Sequence, residues 1–413
     1  MKSNYLLLSV LLLSYITSFS QEGKTEEKKE NPFSFKWDNG FKLESADKDF
    51  KLKFGGRIMV DHAYMFQNDE LDNNFGPLEA KNGTEFRRAR FFMSGTIYSN
   101  VEFKLQVDFA GGKTVLKDAY VGVTDIPALG TIRVGHVKEP FRLEALTSSK
   151  YITFMERALP IDFSQERNNG VVVFNDFLDD RLSAQVGAFR NSDETANNLA
   201  ANDGYSVTGR VTALALNNPE KRQLLHLGVG YSFRKPETKE YSVSQSPEAH
   251  MAPKYIKTGT LTGVDNINLA NFEAAFVTGP LSIQGEYLTA TVNNINGAAF
   301  DKYNFSSYYG QLSYYITGES KNYKGSYEGF DRVKPNKNFG GKDKGAGAWE
   351  VALRYSSSNL NSEDVLGGEQ SDITLGVNWY LNPSTRIMLN HVWADVKDTG
   401  KASILQARMQ IDF

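Results

Sequence analysis

The chain has 413 residues, of which 40% are hydrophobic, and it carries 46 lysines and arginines against 49 aspartates and glutamates. The formal charge of −3 argues against a simple electrostatic nucleic-acid binder, because such proteins carry a strong basic excess. The chain has no cysteine, which excludes disulfides, thiolate metal sites and N-terminal lipid attachment.

The first twenty residues, MKSNYLLLSVLLLSYITSFS, have the form of a secretory signal peptide. A lysine precedes an apolar run from Tyr5 to Phe19, and cleavage is expected near Ser20. The run has about 15 residues, fewer than the roughly 20 that a membrane-spanning helix needs. The sequence therefore predicts export from the cytoplasm, and no later apolar stretch is long enough for a helical membrane protein.

Residues 21–49 are predicted to be a charged, flexible segment that stays in the periplasm. Its first part, QEGKTEEKKENP (21–32), has few apolar residues and ends in proline, which is typical of a disordered linker. The folded domain is expected to extend from residue 50 to residue 413.

From residue 50 onward, apolar and polar residues alternate over many short stretches. In VEFKLQVDF (101–109), every second residue from Val101 to Phe109 is apolar and the residues between them are polar. Because successive side chains of a strand point to opposite faces, each such strand has one apolar and one polar face. The pattern predicts sixteen strands, at about 50–66, 84–98, 101–110, 114–124, 130–138, 170–177, 181–191, 204–216, 224–235, 266–278, 281–292, 303–318, 347–358, 370–381, 384–396 and 402–413.

A soluble β-sandwich alternates in the same way, but three further features favour a membrane barrel. Several strands reach about ten residues or more, long enough to cross a bilayer when tilted. Short connections alternate with long ones, as turns and outer loops do in outer-membrane barrels. Aromatic residues also cluster at strand ends, as in the girdles at the membrane interface: Tyr98, Tyr231, Phe233, Trp379, Tyr380 and Trp393.

One long connection breaks this rhythm. Residues 319–346 follow the twelfth strand, where a short turn is expected. Either this turn is unusually long or the strand count is wrong at this point. An even number of strands would bring both ends of the chain to the same side of the barrel.

The predicted fold is therefore all-β, a 16-stranded antiparallel transmembrane β-barrel with apolar side chains toward lipid and polar ones around a wet lumen. Only a closed sheet pairs every backbone group within a membrane without leaving an edge. The residues on the polar faces of the strands carry both signs of charge, and these faces point into the predicted lumen. The basic side chains are Lys53, Arg57, Arg88, Arg90, Lys104, Arg133, Arg210, Arg234, Arg354, Arg386 and Arg408. The acidic ones are Asp61, Glu102, Asp108, Asp118, Glu273, Glu286, Glu350, Asp372 and Asp412.

Two interpretations of these charges stay open, a solvated channel with paired charges and an anion path. Arg57, Arg88 and Arg90 form the best local basic group, because the latter two share one face of the second strand and Arg57 is on the neighbouring strand. Planar guanidinium groups could pass an oxyanion from one to the next if they cluster.

The connection after the fifth strand, KEPFRLEALTSSKYITFMERALPIDFSQERNNG (138–170), is long and amphiphilic. A long connection of this kind is usually functional, and its apolar content predicts that it packs against the barrel wall and narrows the hole. Arg57, Arg88 and Arg90 are predicted to attract anions, and Lys138 and Arg142 to hold them at the narrowest point.

The chain resembles the phosphate-selective porin O/P family of Gram-negative outer membranes. The resemblance covers about 50–413 and is carried by FRRARFFMSGTIY (86–98), KDAYVGV (117–123), IRVGHVKEPFRLE (132–144), SSKYITFMER (148–157), GAWEVALRYS (347–356) and LGVNWYLNPSTRIMLNHVWA (375–394). It implies a sixteen-stranded barrel, a homotrimer and a third loop folded into the lumen. It also implies basic side chains that guide anions to a constriction where an aspartate accompanies a lysine, for which Asp108 and Lys138 are the candidates by position.

This chain departs from the family in one respect. Characterised members carry a dense row of lumenal arginines along strands eight and nine, where this chain has Arg210 and Arg234, with Arg222 in a turn. The resemblance therefore predicts passive diffusion of anions such as phosphate through an outer membrane, with general or non-phosphate solute diffusion as the alternative. The predicted ion-path residues are Arg57, Arg88, Arg90, Lys104, Asp108, Arg133, Lys138, Arg142, Arg210 and Arg234.

Other classes of function receive less support from the residues. The five histidines are scattered without HExxH or close pairs, so neither a metal nor a cofactor is expected. A barrel enzyme would need a nucleophile with a base in reach, and no motif marks one. A structural surface protein remains the other alternative. The expected partners are permeant anions, outer-membrane lipid and further copies of the chain, and no nucleic acid.

Overall fold

A closed antiparallel sheet forms the body of the protein. The structure is a computed structural model that describes residues 32–193, 195–198, 204–294, 299–342 and 344–413. Its large sheet has eighteen strands, of which sixteen close into a barrel. The barrel strands are β1 (Lys51–Gln67), β2 (Asn82–Ile97), β3 (Val101–Asp108), β4 (Val115–Ile126), β5 (Gly130–Lys138), β6 (Arg167–Phe177), β7 (Leu182–Arg190), β8 (Tyr205–Asn218), β9 (Gln223–Lys235), β10 (Val264–Thr278), β11 (Leu281–Asn294), β12 (Lys302–Tyr315), β13 (Ala348–Ser362), β14 (Val365–Asn382), β15 (Thr385–Val396) and β16 (Gly400–Asp412).

The last strand closes the barrel by pairing with the first. The pairs run from Ala402 opposite Gln67 to Asp412 opposite Arg57. All other neighbours in the barrel are consecutive in sequence and antiparallel, so the long 319–346 connection does not change the strand count. The predicted 16-stranded antiparallel barrel is therefore confirmed. Connections after even-numbered strands lie at one end, here called the turn end, and those after odd-numbered strands at the other, the loop end.

Apolar side chains cover the outside of the barrel and polar ones lie inside. Leu105 is 44% exposed and Val351 is 36% exposed, whereas Arg210 is 1% exposed. This distribution is the reverse of that in a soluble protein, where burial of apolar surface drives folding. Within the described residues, no helix has the length and apolarity needed to cross a bilayer.

The chain reaches the barrel through an N-terminal hairpin. Its strands Phe33–Trp37 and Phe41–Ser45 pair with each other, and the second also pairs with the start of β1. The segment up to residue 49 was expected to be flexible, and residues 33–45 of it form these two paired strands. Asn39 and Gly40 take positive φ angles of 50° and 135° in the tight turn between them. The signal peptide, its cleavage site and most of the linker lie outside the described residues and stay predictions.

Three long connections contact the inner wall of the barrel. They are residues 139–166 after β5, residues 236–263 after β9 and residues 319–333 after β12. The first contains the short helix Leu143–Leu146 and the 3₁₀ turn Leu159–Phe163. The second contains the paired two-residue strands Glu240–Tyr241 with Leu261–Thr262 and Ser244–Gln245 with Ile256–Lys257. The third is a hairpin of Asn322–Gly325 with Gly329–Asp331, here called the inner hairpin.

The interior is dry along one side of the barrel at the loop end. Here the inward-facing residues of β10, β11, β15 and β16 are apolar and pack against the 236–263 segment. The cluster includes Ile267, Leu269, Leu288, Val292, Val392 and Ile404 from the wall and Val243, Ile256 and Leu261 from the segment. The expectation of a wet lumen along every strand is therefore wrong on this side. The remaining helices, Asp69–Asn74 and the 3₁₀ turn Ala110–Gly112, lie in loops.

The outward face of β3 offers a test of the membrane-facing surface. Leu105→Arg places a charge near the middle of the strand, so we expect it to lower the free energy of unfolding in lipid vesicles by about 2 to 4 kcal/mol. Leu366→Arg is the control, because Leu366 is 88% exposed at the loop end and should change stability by less than about 0.5 kcal/mol. Urea titrations in vesicles measure both. Equal effects of the two substitutions would contradict a lipid-facing Leu105.

Candidate functional site

A large basic cavity lies between the inner wall of β1–β6 and the long connections that contact this wall. Its volume is about 1400 Å³. Among the described residues, seventeen lysines and arginines line it against seven carboxylates. The basic residues are Lys42, Lys51, Lys53, Arg57, Arg87, Arg88, Arg90, Lys104, Lys117, Arg133, Lys138, Lys150, Arg157, Arg167, Lys324, Arg332 and Lys334, and the acidic ones are Asp38, Glu102, Asp118, Glu166, Asp193, Glu328 and Asp331.

The cavity extends along the barrel wall from one end to the other. Lys51 and Thr96, which pair with each other at the turn end, line one extremity. Ser192 and Asp193, in the connection after β7 at the loop end, line the opposite one. Because the lining reaches both ends, the cavity has the position that a solute path through the barrel requires.

A β-bulge in β2 turns two adjacent arginines toward the cavity. The register between β1 and β2 shifts from Met59 opposite Arg88 to Val60 opposite Phe86, which leaves Arg87 as the extra residue. Arg87 and Arg88 consequently both line the cavity, although they are adjacent in sequence. Simple alternation places one of the two on the outer face, so sequence reasoning missed Arg87.

A second bulge acts in the same way on β4. Leu105 pairs with Ala119, and Val107 pairs with Leu116, so two residues of β4 oppose one residue of β3. Both of these residues, Lys117 and Asp118, line the cavity. Lys117 was not predicted, and no signal in a single sequence marks the bulge that turns it inward.

Arg57 is the cation best placed to receive an anion. Its guanidinium donates to the Ser149 hydroxyl at 2.7 Å and the Ser148 hydroxyl at 3.4 Å. In the described part of the chain, no carboxylate oxygen lies within 4 Å of this guanidinium. A buried guanidinium normally has an anionic partner, so this group is electrostatically incomplete without one.

Other predicted ion-path cations line the cavity but already have partners. Arg90 donates to Asp108 at 2.6 Å, and Lys104 lies 2.6 Å from Asp118. Arg88 lies 3.7 Å from Glu156. Burial would raise the pKa of the Glu156 carboxyl, but the neighbouring guanidinium groups outweigh this effect and hold that pKa well below its usual range. These cations add to the positive field without being free binding groups.

The structure does not bring the predicted Asp108–Lys138 pair together. Asp108 accepts hydrogen bonds from Arg90 and from the Ala89 and Ala110 amides, behind the cavity lining. Lys138 does line the cavity, but its ammonium donates to carbonyl oxygens of the 139–166 segment, including that of Leu146 at 2.9 Å. Lys138 therefore holds the start of this segment in place.

The predicted role of Arg142 at the narrowest point is not supported by its position. Its guanidinium donates to the carbonyl oxygens of Pro160 and Ser164 within its own segment, and it does not line the cavity. Backbone carbonyls satisfy this cation, so Arg142 shapes the segment. Sequence could not distinguish an arginine that binds solute from one that binds the carbonyls of a folded loop.

Arg210 and Arg234 also lie away from the cavity. Arg210 forms a buried ion pair with Glu273 and donates to the Ser326 carbonyl of the inner hairpin at 2.8 Å. Arg234 pairs with Glu139 at the start of the 139–166 segment. Both residues were predicted to line the ion path, and here both bind long connections: Arg210 binds the inner hairpin and Arg234 the 139–166 segment.

The carboxylates of the opposite wall also bind the long connections. Glu273 and Glu286 accept hydrogen bonds from the Leu143 and Glu144 amides at 2.9 and 2.7 Å. Asp372 accepts from the amide of Glu248, whose side chain in turn accepts from Arg354 at 2.7 Å. These groups are buried rather than hydrated, which differs from the expected solvated lumen.

Arg133 and three aromatic rings attach the inner hairpin to the cavity wall. The Arg133 guanidinium lies 4.7 Å from the Tyr120 ring, 4.9 Å from Phe174 and 5.2 Å from Tyr327, and it pairs with Glu102 at 2.6 Å. Tyr327 of the inner hairpin stacks on Phe174 with ring centroids 4.3 Å apart. Arg133 thus combines cation–π contacts with an ion pair, and these contacts link the inner hairpin to the wall.

The described residues contain no group of three or more histidine, aspartate or glutamate side chains arranged to hold a metal ion. The cavity is therefore a site of hydrogen-bond donors and positive charge. Such a lining is suited to oxyanions, which accept several hydrogen bonds at once.

Comparisons with known proteins agree with this architecture. Residues 60–413 match the family described as phosphate-selective porin O and P. Porin O of Pseudomonas aeruginosa is 27% identical over 86% of this chain and 85% of its own length. Two solved structures resemble the fold: an anion-selective porin from Comamonas acidovorans (TM-score 0.56, 13% identity, 88% of this chain and all of that one) and the trimer form of OmpT from Vibrio cholerae (TM-score 0.55, 11% identity, 88% and 99%).

The position of Lys150 predicts that the charge of the cavity depends on pH. Burial lowers the pKa of its ammonium to about 7, with Asp412 opposing the shift and Arg57 and Arg332 adding to it. Because the lysine is charged below this pKa, we expect the preference for anions over cations to fall between pH 6 and pH 8. Reversal potentials across planar bilayers measure it.

Two variants separate Lys150 from other groups in this prediction. Lys150→Met should reduce the pH dependence, to which Lys117 of the same lining also contributes, and His136→Gln, which removes the histidine of the cavity lining, should retain it. An unchanged pH step in Lys150→Met would contradict the assignment.

The contacts of Tyr327 predict that it limits the open area. Tyr327→Ala removes the stack on Phe174 and a hydrogen bond to the Lys138 carbonyl at 2.8 Å, so the inner hairpin should move away from the wall. Single-channel recordings should show higher conductance and greater current noise. Phe339→Ala is the control, because Phe339 packs on Trp379 elsewhere in the same connection. Equal currents in wild type and Tyr327→Ala would rule out this restricting role.

Proposed function

The chain belongs to the phosphate-selective porin O and P family, and on that basis we propose that it is a passive outer-membrane pore for phosphate-like oxyanions. The family is one of channels rather than enzymes, and Porin O is the name of a relative that matches most of the chain. The barrel with its apolar exterior fits an outer-membrane location. Anion selectivity is part of the name of the Comamonas acidovorans porin, which has a similar fold, and we propose anion preference for this chain as well.

The observation that carries the proposal is the excess of positive charge in the cavity. The whole chain has a formal charge of −3, yet cations outnumber carboxylates in the cavity lining by more than two to one. A cleft lined by one sign of charge between low-dielectric walls concentrates ions of the opposite sign. Anions should therefore enter more readily than cations.

We place the selective point at Arg57, Ser148, Ser149 and Lys150. The guanidinium and two hydroxyls offer several donors to one oxyanion, and the Lys150 ammonium also lines the cavity. We further propose that the 139–166 segment lies across the lumen and forms the constriction, because side chains of β1, β10, β11, β13, β15 and β16 all bind it. Several moderate sites in sequence allow an ion both to enter and to leave.

A broader anion specificity is the second candidate. Arg210 and Arg234 are the arginines available on β8 and β9, and both are ion-paired away from the cavity. This leaves fewer donors along the path for a multivalent anion. We also propose that the mature protein is a homotrimer, as in the trimer form of OmpT, and that it is exported by cleavage near Ser20.

The test is ion selectivity of the purified protein in planar bilayers. A salt gradient should give a reversal potential of the sign that marks an anion channel. Added phosphate should reduce the chloride current in a saturable manner, because phosphate occupies the Arg57 site. A cation-selective reversal potential would overturn the proposal. A reduction of the chloride current that does not saturate with phosphate concentration would favour the broader specificity.

Arg57→Gln tests the selective point in the same recordings. Losing a charge-assisted hydrogen bond of about 1.5 kcal/mol or more should raise the half-saturating phosphate concentration by about tenfold or more. Lys401→Gln is the control, because that lysine is exposed at the loop end beside Asp395 and should leave phosphate binding unchanged. Identical phosphate titrations of the wild type, Arg57→Gln and Lys401→Gln would show that Arg57 does not bind the permeating phosphate.

A further inference from the structure

The N-terminal hairpin carries four exposed aromatic side chains on one face. Phe33, Phe35 and Trp37 alternate along its first strand, and Phe41 lies opposite Trp37 on the second. Each is at least 41% exposed, and Phe35 reaches 68%. We call this group the aromatic foot. A contiguous apolar patch of this kind marks a surface that a partner or a membrane covers.

Strand register makes this face continuous with the outside of the barrel. Phe41 pairs with Phe54 of β1, and Leu43 pairs with Leu52. Residues 52 and 54 share their parity along β1 with Ile58, which is exposed on the outer surface. The aromatic foot therefore extends the lipid-facing surface of the barrel rather than facing its lumen.

The other face of the hairpin is polar. Lys36 and Lys42 both approach Glu44, at 3.3 and 3.6 Å. The hairpin is thus amphipathic, with ring side chains on the lipid side and ion-paired side chains on the opposite side. This division of residues is typical of elements that lie at a membrane surface.

The depth of the aromatic foot follows from the same register. Trp37 and Phe41 are level with Phe54, while Phe33 pairs with Ser45, beyond the first residue of β1. The Phe50–Tyr98 aromatic pair lies at the same end, next to the turn between β2 and β3. The four rings therefore lie at the turn end beside this aromatic pair, and aromatic side chains are favoured where a barrel leaves the hydrocarbon layer.

We propose that the aromatic foot docks onto the interfacial layer of the lipid leaflet at the turn end and fixes the N-terminal hairpin against the membrane. The inference rests on the barrel's location in a bilayer and not on its ion selectivity. A second copy of the chain pairing with the free edge of Phe33–Trp37 would lie in the plane of the sheet and would leave the aromatic face uncovered. Lipid covers that face directly.

Trp37 provides the probe for this contact. It is one of four tryptophans, so the full-length variant W349F/W379F/W393F contains it alone. In phosphatidylcholine vesicles, bromines attached high on the acyl chains should quench about half of its emission or more, and bromines near the chain ends should quench less. Aqueous iodide should have little effect.

Matched variants identify the surface involved. The single-tryptophan variant W37F/W349F/W379F retains Trp393, an outward-facing residue of β15, and supplies the signal of a known lipid-facing ring. In the Trp37 background, F33S/F35S/F41S should lose bromine quenching and gain iodide quenching, while S34A/K36Q on the polar face should do neither. Circular dichroism and heat-modifiable electrophoretic mobility check that each variant has folded.

Two results would overturn the proposal. Iodide quenching of Trp37 without bromine quenching would place the aromatic foot in water. Protection of Trp37 from both quenchers, with Trp393 still quenched by lipid, would show that protein rather than lipid covers it. Either result leaves the anion pore intact, because the proposed path does not include these rings.

Discussion

Burial of charge inside a closed barrel is the constraint that organises this protein. The outward-facing residues of the strands contact lipid, and most inward-facing positions hold polar or charged groups. Each of these groups needs a partner once water is displaced from it. The long connections supply those partners, through contacts such as Glu273 with the Leu143 amide and Glu248 with Arg354. Leaving one buried member of such a pair uncompensated would cost about 3 to 5 kcal/mol, so these contacts fix where each segment lies.

The distribution of those pairs decides where an ion can pass. On the side of β10–β16, the inward-facing charged groups form ion pairs and hydrogen bonds with each other and with the long connections. An apolar cluster fills the loop-end half of this side. On the side of β1–β6, the cavity stays open and its cations exceed its carboxylates. Arg57, bound to serine hydroxyls alone in the described chain, concentrates this imbalance at one point. Under the proposed function, selectivity would arise from incomplete neutralisation along one wall and would not need a row of arginines along β8 and β9.

Alternation along the strands was sufficient to predict the barrel, its sixteen strands and the outward position of residues such as Leu105, because a lipid-facing surface constrains every second residue. It could not predict the bulges that turn Arg87 and Lys117 inward, since each depends on a register shift between two strands. It also could not tell Arg57 from Arg142, as partners such as the Pro160 carbonyl come from the folded segment. The hairpin at residues 33–45 was missed because charge-rich flanking sequence suggested disorder.

Cysteine accessibility tests the one-sided path most directly, because the native chain has no cysteine to interfere. Ser94 lines the cavity on β2, whereas Ser307 is buried on β12 with its hydroxyl bound to the Ser357 carbonyl. In reconstituted S94C, a negatively charged methanethiosulfonate should block current rapidly and faster than a positively charged one, and S307C should react with neither. Equal reaction at both positions, or faster reaction of S94C with the cationic reagent, would contradict an anion path along the β1–β6 wall.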